Sequence, residues 1–149
     1  MADTTVPSAK APWHLWVVGG LSLLWNLVGA FDFFMTQTKN EAYLKALTPE
    51  QLAYFSNIPL WATIAWAVGT WGSSLGSLLL LLRRSLAVQV LAASLGGFVL
   101  TILHTYVLSD GLKVMKGGAG SVIFSAVIGG IIVLLVVYAR AMRKRGVLR

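Results

Sequence analysis

Apolar residues occupy four long stretches of the chain, and polar residues are concentrated in the segments between them. Each stretch approaches or exceeds the roughly 20 residues that an α-helix needs to cross the hydrocarbon of a bilayer. None shows the strict alternation of a barrel strand, and residues 78–82 form an unbroken leucine run, so helices are predicted. We expect one domain over residues 1–149, with membrane-spanning helices at about 13–35, 59–82, 86–108 and 121–139.

The composition supports this assignment. Hydrophobic residues make up 57% of the chain and charged residues only 11%, whereas a soluble domain has about 25% charged residues. So few charges cannot cover a water-facing surface. The absence of cysteine excludes disulfides and thiolate metal sites. The predicted fold class is therefore all-α, and the predicted architecture is an integral membrane four-helix bundle. The lipid bilayer is the partner that this architecture requires.

The cationic residues are distributed unevenly about the predicted spans, which predicts an orientation. Eight lie on the side that holds both termini, including every arginine, and four lie on the other side. The positive-inside rule makes the first side cytoplasmic, so we expect a multi-pass protein of the bacterial inner membrane with both termini in the cytoplasm. The net charge of +7 then serves topology, and no nucleic-acid partner is expected. The two sets are Lys10, Arg83, Arg84, Arg140, Arg143, Lys144, Arg145 and Arg149, against Lys39, Lys45, Lys113 and Lys116.

The first periplasmic loop contains a strong helix-start signal in the stretch "TPEQLAYFS". Thr48 is placed as the N-cap, Pro49 at the first helical position and Gln51 at the capping-box position. We expect a short helix at about 49–56 that lies on the outer membrane surface. Trp61, just beyond it, is expected to be an interfacial anchor.

Small residues recur on the predicted spans at spacings that allow two helices to approach closely. One interpretation is a homodimer interface on the second span, where Gly72 and Gly76 form a G-x-x-x-G pair. The other interpretation, which we favour, is packing inside a single four-helix bundle. The candidate helix-packing residues are Gly69, Gly72, Ser73, Gly76, Gly97 and Gly129.

Two ionisable residues lie near the outer boundary of the predicted spans. At a rise of ~1.5 Å per residue, Asp32 lies about 28 Å along the first helix and His104 about 27 Å along the third. Ionisable groups inside a membrane are costly unless they are paired. We therefore expect Asp32 to approach His104, with Thr101 and the deeper Asn26 completing a polar intramembrane cluster. The alternative is that Asp32 and His104 are boundary residues that reach water.

Patterns for familiar chemistry are missing. His14 and His104 lie at opposite ends of their helices, so one chain cannot bring them together as haem ligands. No H-x-x-x-H or E-x-x-H spacing exists for a metal site, and Asp32 alone among the five acidic residues is placed in a span. The sequence therefore predicts no enzyme, no catalytic residues, no metal site and no cofactor.

The stretches "WNLVGAFDFFMTQT", "YLKALTPEQLAYFSNIPLWATIAWAVGTWGSSLGSLLLLLRR" and "AASLGGFVLT" resemble a set of small, uncharacterised four-helix inner-membrane proteins of proteobacteria, which are often labelled sugar transporters. The resemblance covers roughly residues 24–109 and implies no catalytic residues. It implies transport of a small, sugar-like solute. Because four helices are few for a transporter, we expect such a pathway to need a homo-oligomer. Trp25, Trp66 and Trp71 are candidate aromatic faces for such a solute. The alternative is a non-catalytic accessory or assembly subunit of a larger membrane-protein complex.

Overall fold

The structure is a computed structural model that describes residues 9–115 and 118–149, and all regular structure in these residues is helical. Four helices are long and apolar enough to cross a membrane, as the sequence predicts. Two short helices lie in the first long connection and one in the last. The helices are α1 (Trp13–Gln37), α2 (Glu41–Leu44), α3 (Pro49–Ser56), α4 (Leu60–Leu81), α5 (Leu86–Leu103), α6 (Gly111–Val114) and α7 (Ala119–Lys144), with a π-helical turn at His104–Leu108 after α5.

The helix boundaries follow from local sequence signals. Pro12 and Pro59 are the N-cap residues of α1 and α4 and have the extended conformation usual at that position. At α3 the Thr48 side chain accepts from the Gln51 nitrogen at 3.3 Å, and the Gln51 side chain accepts from the Thr48 nitrogen at 3.1 Å. A helix with a capping box therefore occupies the segment that the sequence singled out.

The long helices pack in chain order: α1 against α4, α4 against α5, and α5 against α7. The buried core lies at one end of the bundle, which holds the start of α1, the α4–α5 turn and the end of α7. We call this the basic end and the opposite end the cavity end. The core residues are Leu15, Leu80, Ala87, Val88, Leu91, Leu135, Val136, Ala139, Met142, Val147 and Leu148.

Small residues bring α4 and α5 into close contact. A Cβ added to Gly97 would lie 2.6 Å from the Ala65 carbonyl oxygen, and one added to Gly69 would lie 3.3 Å from the Phe98 nitrogen. Across the same interface the buried Ser94 hydroxyl donates to the Gly69 carbonyl at 2.8 Å. Close approach of two helices through small residues is the expected mode of packing in lipid.

The G-x-x-x-G pair is also occupied within the chain. A Cβ on Gly72 would meet the Ser94 side chain at 3.2 Å, and one on Gly76 would meet the Leu91 side chain at 2.6 Å. The buried Ser73 lies on α4 where α1 packs. Gly129 on α7 has no room for a Cβ beside Phe98. The face considered as a homodimer interface is therefore covered by α5 of the same chain.

The basic end is closed by the last residues of the chain. Arg83, whose φ of 58° places it in the left-handed region, donates from Nε to the Val147 carbonyl at 3.1 Å and from Nη2 to the Ala9 carbonyl at 2.7 Å. The Arg149 nitrogen donates to the Arg83 carbonyl at 2.8 Å. The side chains of Val147 and Leu148 are buried beneath this turn.

The cationic residues follow the same division. All eight that the sequence assigned to one side lie at the basic end, at or beyond the ends of α1, α4, α5 and α7. Lys39, Lys45 and Lys113 lie in the connections at the cavity end, and Lys116 lies outside the described residues.

Candidate functional site

A cavity of about 350 Å³ lies at the cavity end, between α1, α3, α4, α5, the π-helical turn and α7. We call it the inner cavity. Its walls are mainly apolar and aromatic, and a small number of polar side chains face it. Concave sites of this composition are typical binding sites for small molecules. The aromatic lining residues are Tyr54, Phe55, Trp66, Phe98, Tyr106 and Phe124, and the polar ones are Asp32, Thr101, His104, Thr105, Ser121 and Ser125.

The π-helical turn forms part of the wall of this cavity through His104, Thr105 and Tyr106. π-Helical turns within α-helices occur often at functional sites. The Ser109 hydroxyl stabilises the end of the turn by donating to the His104 carbonyl at 2.8 Å and to the Thr105 carbonyl at 3.2 Å. Tyr54 of α3 hydrogen-bonds to the same Ser109 hydroxyl at 3.0 Å. Gly111 of α6 contacts Thr105 and Tyr54 so closely that a Cβ there would clash with both. Two short helices therefore brace the turn.

His104, the first residue of the turn, is almost buried, with 8% of its surface exposed. Its ring meets the Trp61 ring edge to face, with centroids 5.5 Å apart, and the Tyr54 ring centroid lies 6.4 Å away. The side chain borders the inner cavity and also a second cavity nearer the loops. His104 therefore lies at the boundary between the two.

The second cavity, which we call the outer cavity, has a volume of about 370 Å³. It shares Tyr54, Ile58 and His104 with the inner cavity. Polar residues of α3 and of the last connection form much of its remaining wall, including Glu50, Asn57, Ser109 and Asp110. The two cavities are therefore neighbours, and His104 forms part of the wall of each.

Asp32 also lines the inner cavity, but its partner is not the one that the sequence suggested. Its carboxylate accepts a hydrogen bond from the Tyr43 hydroxyl of α2. No hydrogen bond or ion pair joins Asp32 to His104 in the described residues. In this structure α4 packs between α1 and α5, so the matched depth of Asp32 and His104 does not by itself bring the two side chains into hydrogen-bonding contact.

The Asp32–Tyr43 hydrogen bond alters the phenol. The bond to Asp32, together with partial burial and the nearby negative charge, raises the pKa of Tyr43 to about 12. Tyr43 therefore stays protonated and neutral at physiological pH and donates to the carboxylate. It adds no positive charge to the site.

Asn26 has a different role from the other predicted cluster residues. Its amide nitrogen donates to the Ser77 hydroxyl at 3.0 Å and to the Ser73 carbonyl at 3.2 Å. These bonds join α1 to α4 beyond the cavity wall, and Asn26 does not line the cavity. Thr101 does line it, but its hydroxyl donates to the Gly97 carbonyl of its own helix at 2.9 Å. The structure thus brings Asp32, Thr101 and His104 to one cavity and leaves Asn26 outside it.

Sequence reasoning missed the tyrosines. Tyr106 hydrogen-bonds to the Ser125 hydroxyl at 2.8 Å and donates to the Ser121 carbonyl at 3.1 Å, linking the π-helical turn to α7. The sequence feature that could have identified Tyr106 is an aromatic side chain with a polar hydroxyl inside an otherwise apolar span. Among the tryptophans proposed as aromatic faces, Trp66 lines the cavity, whereas Trp25 and Trp71 are exposed on the outer surface of the bundle.

The described residues contain no group of three histidine or acidic side chains suited to a metal ion. Comparison with known proteins adds no assignment: no family model, no curated protein and no solved structure matches the chain.

Proposed function

We propose that this protein binds a small solute in the inner cavity and carries it across the bacterial inner membrane. The observation that carries the proposal is a cavity of about 350 Å³ within the membrane-spanning part of the chain. Aromatic walls and a few converging polar groups are the features of a ligand site. The outer cavity, which shares three lining residues with it, provides the route of entry.

The orientation that we propose places the basic end in the cytoplasm and the cavity end in the periplasm. Eight cationic residues at the basic end, against three described ones at the cavity end, support it through the positive-inside rule. Capped α3 then lies along the periplasmic surface, and half-exposed Trp61 lies at the level of the lipid headgroups. Solute enters from the periplasm in this arrangement.

Transport requires that the basic end open. In this structure the core around Leu15, Leu80 and Leu91 is fully buried, and the His14 ring hydrogen-bonds to the Tyr138 hydroxyl at 2.5 Å, joining α1 to α7. The structure then corresponds to a state closed toward the cytoplasm.

The proposal is tested by filling the cavity. Thr101→Trp places a large side chain in the inner cavity, whereas Val99→Trp, on the same helix, places one on the lipid-facing surface, where Val99 is 55% exposed. Both variants and the wild type are purified, and binding is measured by calorimetry and uptake in proteoliposomes. The solutes are a methyl glucoside, which represents the sugar-like class, an uncharged alcohol and an organic cation.

We expect at least one solute to bind the wild type and the Val99→Trp variant and to be lost from the Thr101→Trp variant. Uptake of that solute should likewise be kept in the wild type and the Val99→Trp variant and lost in the Thr101→Trp variant. If no solute of the three classes binds or is taken up, the accessory or assembly role replaces transport. If Thr101→Trp binds as the wild type does, the inner cavity is not the site.

A further inference from the structure

We propose that the inner cavity is selective for organic cations, with the substituted ammonium group held between the Asp32 carboxylate and the aromatic walls. This inference rests on the proposed function and specifies its substrate class. It depends on three features of the two cavities: the charges that line them, the aromatic faces, and the hydrogen-bonding groups that are already engaged.

The charges of the lining residues favour a cation. Asp32 lines the inner cavity, and Glu50 and Asp110 line the outer one. No lysine or arginine is among the lining residues in the described ranges 9–115 and 118–149. Asp110 forms an exposed ion pair with Lys113 at 2.8 Å, but the partner of Asp32 is the neutral Tyr43 hydroxyl. A positive solute is therefore attracted inward, and an anion is repelled.

The aromatic walls favour the same kind of group. Trp66 and Phe55 pack against each other with their ring planes inclined at 28° and their centroids 6.0 Å apart, and both line the inner cavity. Phe98 and Phe124 contribute from α5 and α7. The face of an aromatic ring attracts a cation, tryptophan most strongly, and substituted ammonium groups are recognised in aromatic cages for this reason. An ammonium group with apolar substituents would also match the apolar character of the walls.

The hydrogen-bonding groups of the cavity disfavour a polyhydroxylated solute. The Thr101 hydroxyl is bonded to the Gly97 carbonyl, Tyr106 to Ser121 and Ser125, and Tyr54 to Ser109. A sugar that left these bonds intact would have chiefly Asp32, His104 and Thr105 among the lining side chains as partners for its several hydroxyls, and each hydroxyl left without a partner is costly in an apolar site. A quaternary ammonium group needs no such partners, because it has no N–H and its charge is spread over carbon-bound hydrogens.

The test uses choline and dimethylbutanol, in which a carbon atom replaces the quaternary nitrogen of choline, so the two differ in charge and hardly in shape. Binding to the purified full-length protein is measured by calorimetry in lipid nanodiscs at neutral pH. We expect choline to bind more tightly than dimethylbutanol by on the order of 10- to 100-fold. Asp32→Asn, which can still accept from Tyr43, should remove most of this difference. Glu41→Gln, at an acidic residue of α2 that lines neither cavity, should change it little.

A second pair of variants tests the aromatic wall. Trp66→Leu removes a ring that lines the cavity and should weaken choline binding several-fold while dimethylbutanol binding changes less. Trp71→Leu removes a ring of the same helix that faces outward, where Trp71 is 47% exposed, and should leave both affinities unchanged. Equal losses for the two ligands would mean that the ring contributes only apolar surface and not attraction for a cation.

The outcomes separate this inference from the proposed function. If dimethylbutanol or the methyl glucoside binds as tightly as choline, or if Asp32→Asn has no effect on choline, selectivity for cations is wrong and solute binding stands. If no ligand binds to the wild type, both the inference and the proposed function fail. Tight choline binding that depends on Asp32 and Trp66 supports both.

Discussion

Replacing Gly97 with alanine should force α4 and α5 apart, because this glycine lies against backbone atoms that cannot rotate away. An added Cβ would lie 2.6 Å from the Ala65 carbonyl oxygen and 2.8 Å from the Gly69 nitrogen. To bring the new Cβ to van der Waals distance, α4 and α5 must move apart by roughly 0.8 Å. A gap of that size between the two helices removes about a quarter to a half of the dispersion attraction between their facing atoms. We expect the free energy of unfolding to fall by about 2 kcal/mol, as overpacked cores do.

Gly96→Ala is the matched control. Gly96 is adjacent in sequence, but nothing lies within 4 Å of its added Cβ, and alanine favours a helix over glycine by up to about 1 kcal/mol. Thermal unfolding of both variants is followed by tryptophan fluorescence in one detergent. Gly97→Ala should lower the melting temperature by on the order of 5 °C, and Gly96→Ala should not lower it. Equal melting of Gly97→Ala and the wild type would refute the close α4–α5 contact.

Three further changes have definite expected results. Since the pKa of Tyr43 is raised to about 12, the stability it contributes should be complete below pH 10 and lost between about pH 10 and 12. Asp32→Leu, which removes the acceptor, should move the absorbance transition of the Tyr43 phenolate toward lower pH, and an unchanged transition would disprove the bond. Asn26→Leu should lower the free energy of unfolding by about 1 kcal/mol, because two bonds to α4 are lost; no change in thermal unfolding would count against them. Arg83→Gln should lower the melting temperature more than Arg84→Gln, because the bonds from Arg83 to the Val147 and Ala9 carbonyls are lost; equal melting of the two variants would contradict the closed basic end.

Much of the helical architecture was readable from the sequence, because crossing a membrane sets the length and apolarity of each helix. The four stretches appear as four long helices. Their ends were less predictable: α7 continues to Lys144, since a solvated basic segment can extend a helix beyond the hydrocarbon. The change of α5 into a π-helical turn at His104 was not predicted, because no residue type marks it.

The site was only partly predictable. The depth of Asp32 and His104 along their helices follows from counting residues, and both line the inner cavity. Their lateral placement depends on which helices are neighbours, and counting residues does not give the order α1, α4, α5, α7. Tyr43 was missed as the partner of Asp32 because the short helix α2 brings it back over the end of α1, a tertiary effect without a local signal.

The central claim is that the inner cavity is a solute site open to the periplasm and closed to the cytoplasm. Because the chain has no cysteine, a single Thr101→Cys variant can be labelled there without background. Ser94→Cys, at a position that is fully buried between α4 and α5, is the control. A membrane-impermeant maleimide added to right-side-out membrane vesicles should label Thr101→Cys and not Ser94→Cys, and a bound solute should protect it. Labelling of Thr101→Cys only in inside-out vesicles, or no protection by any solute, would contradict the account.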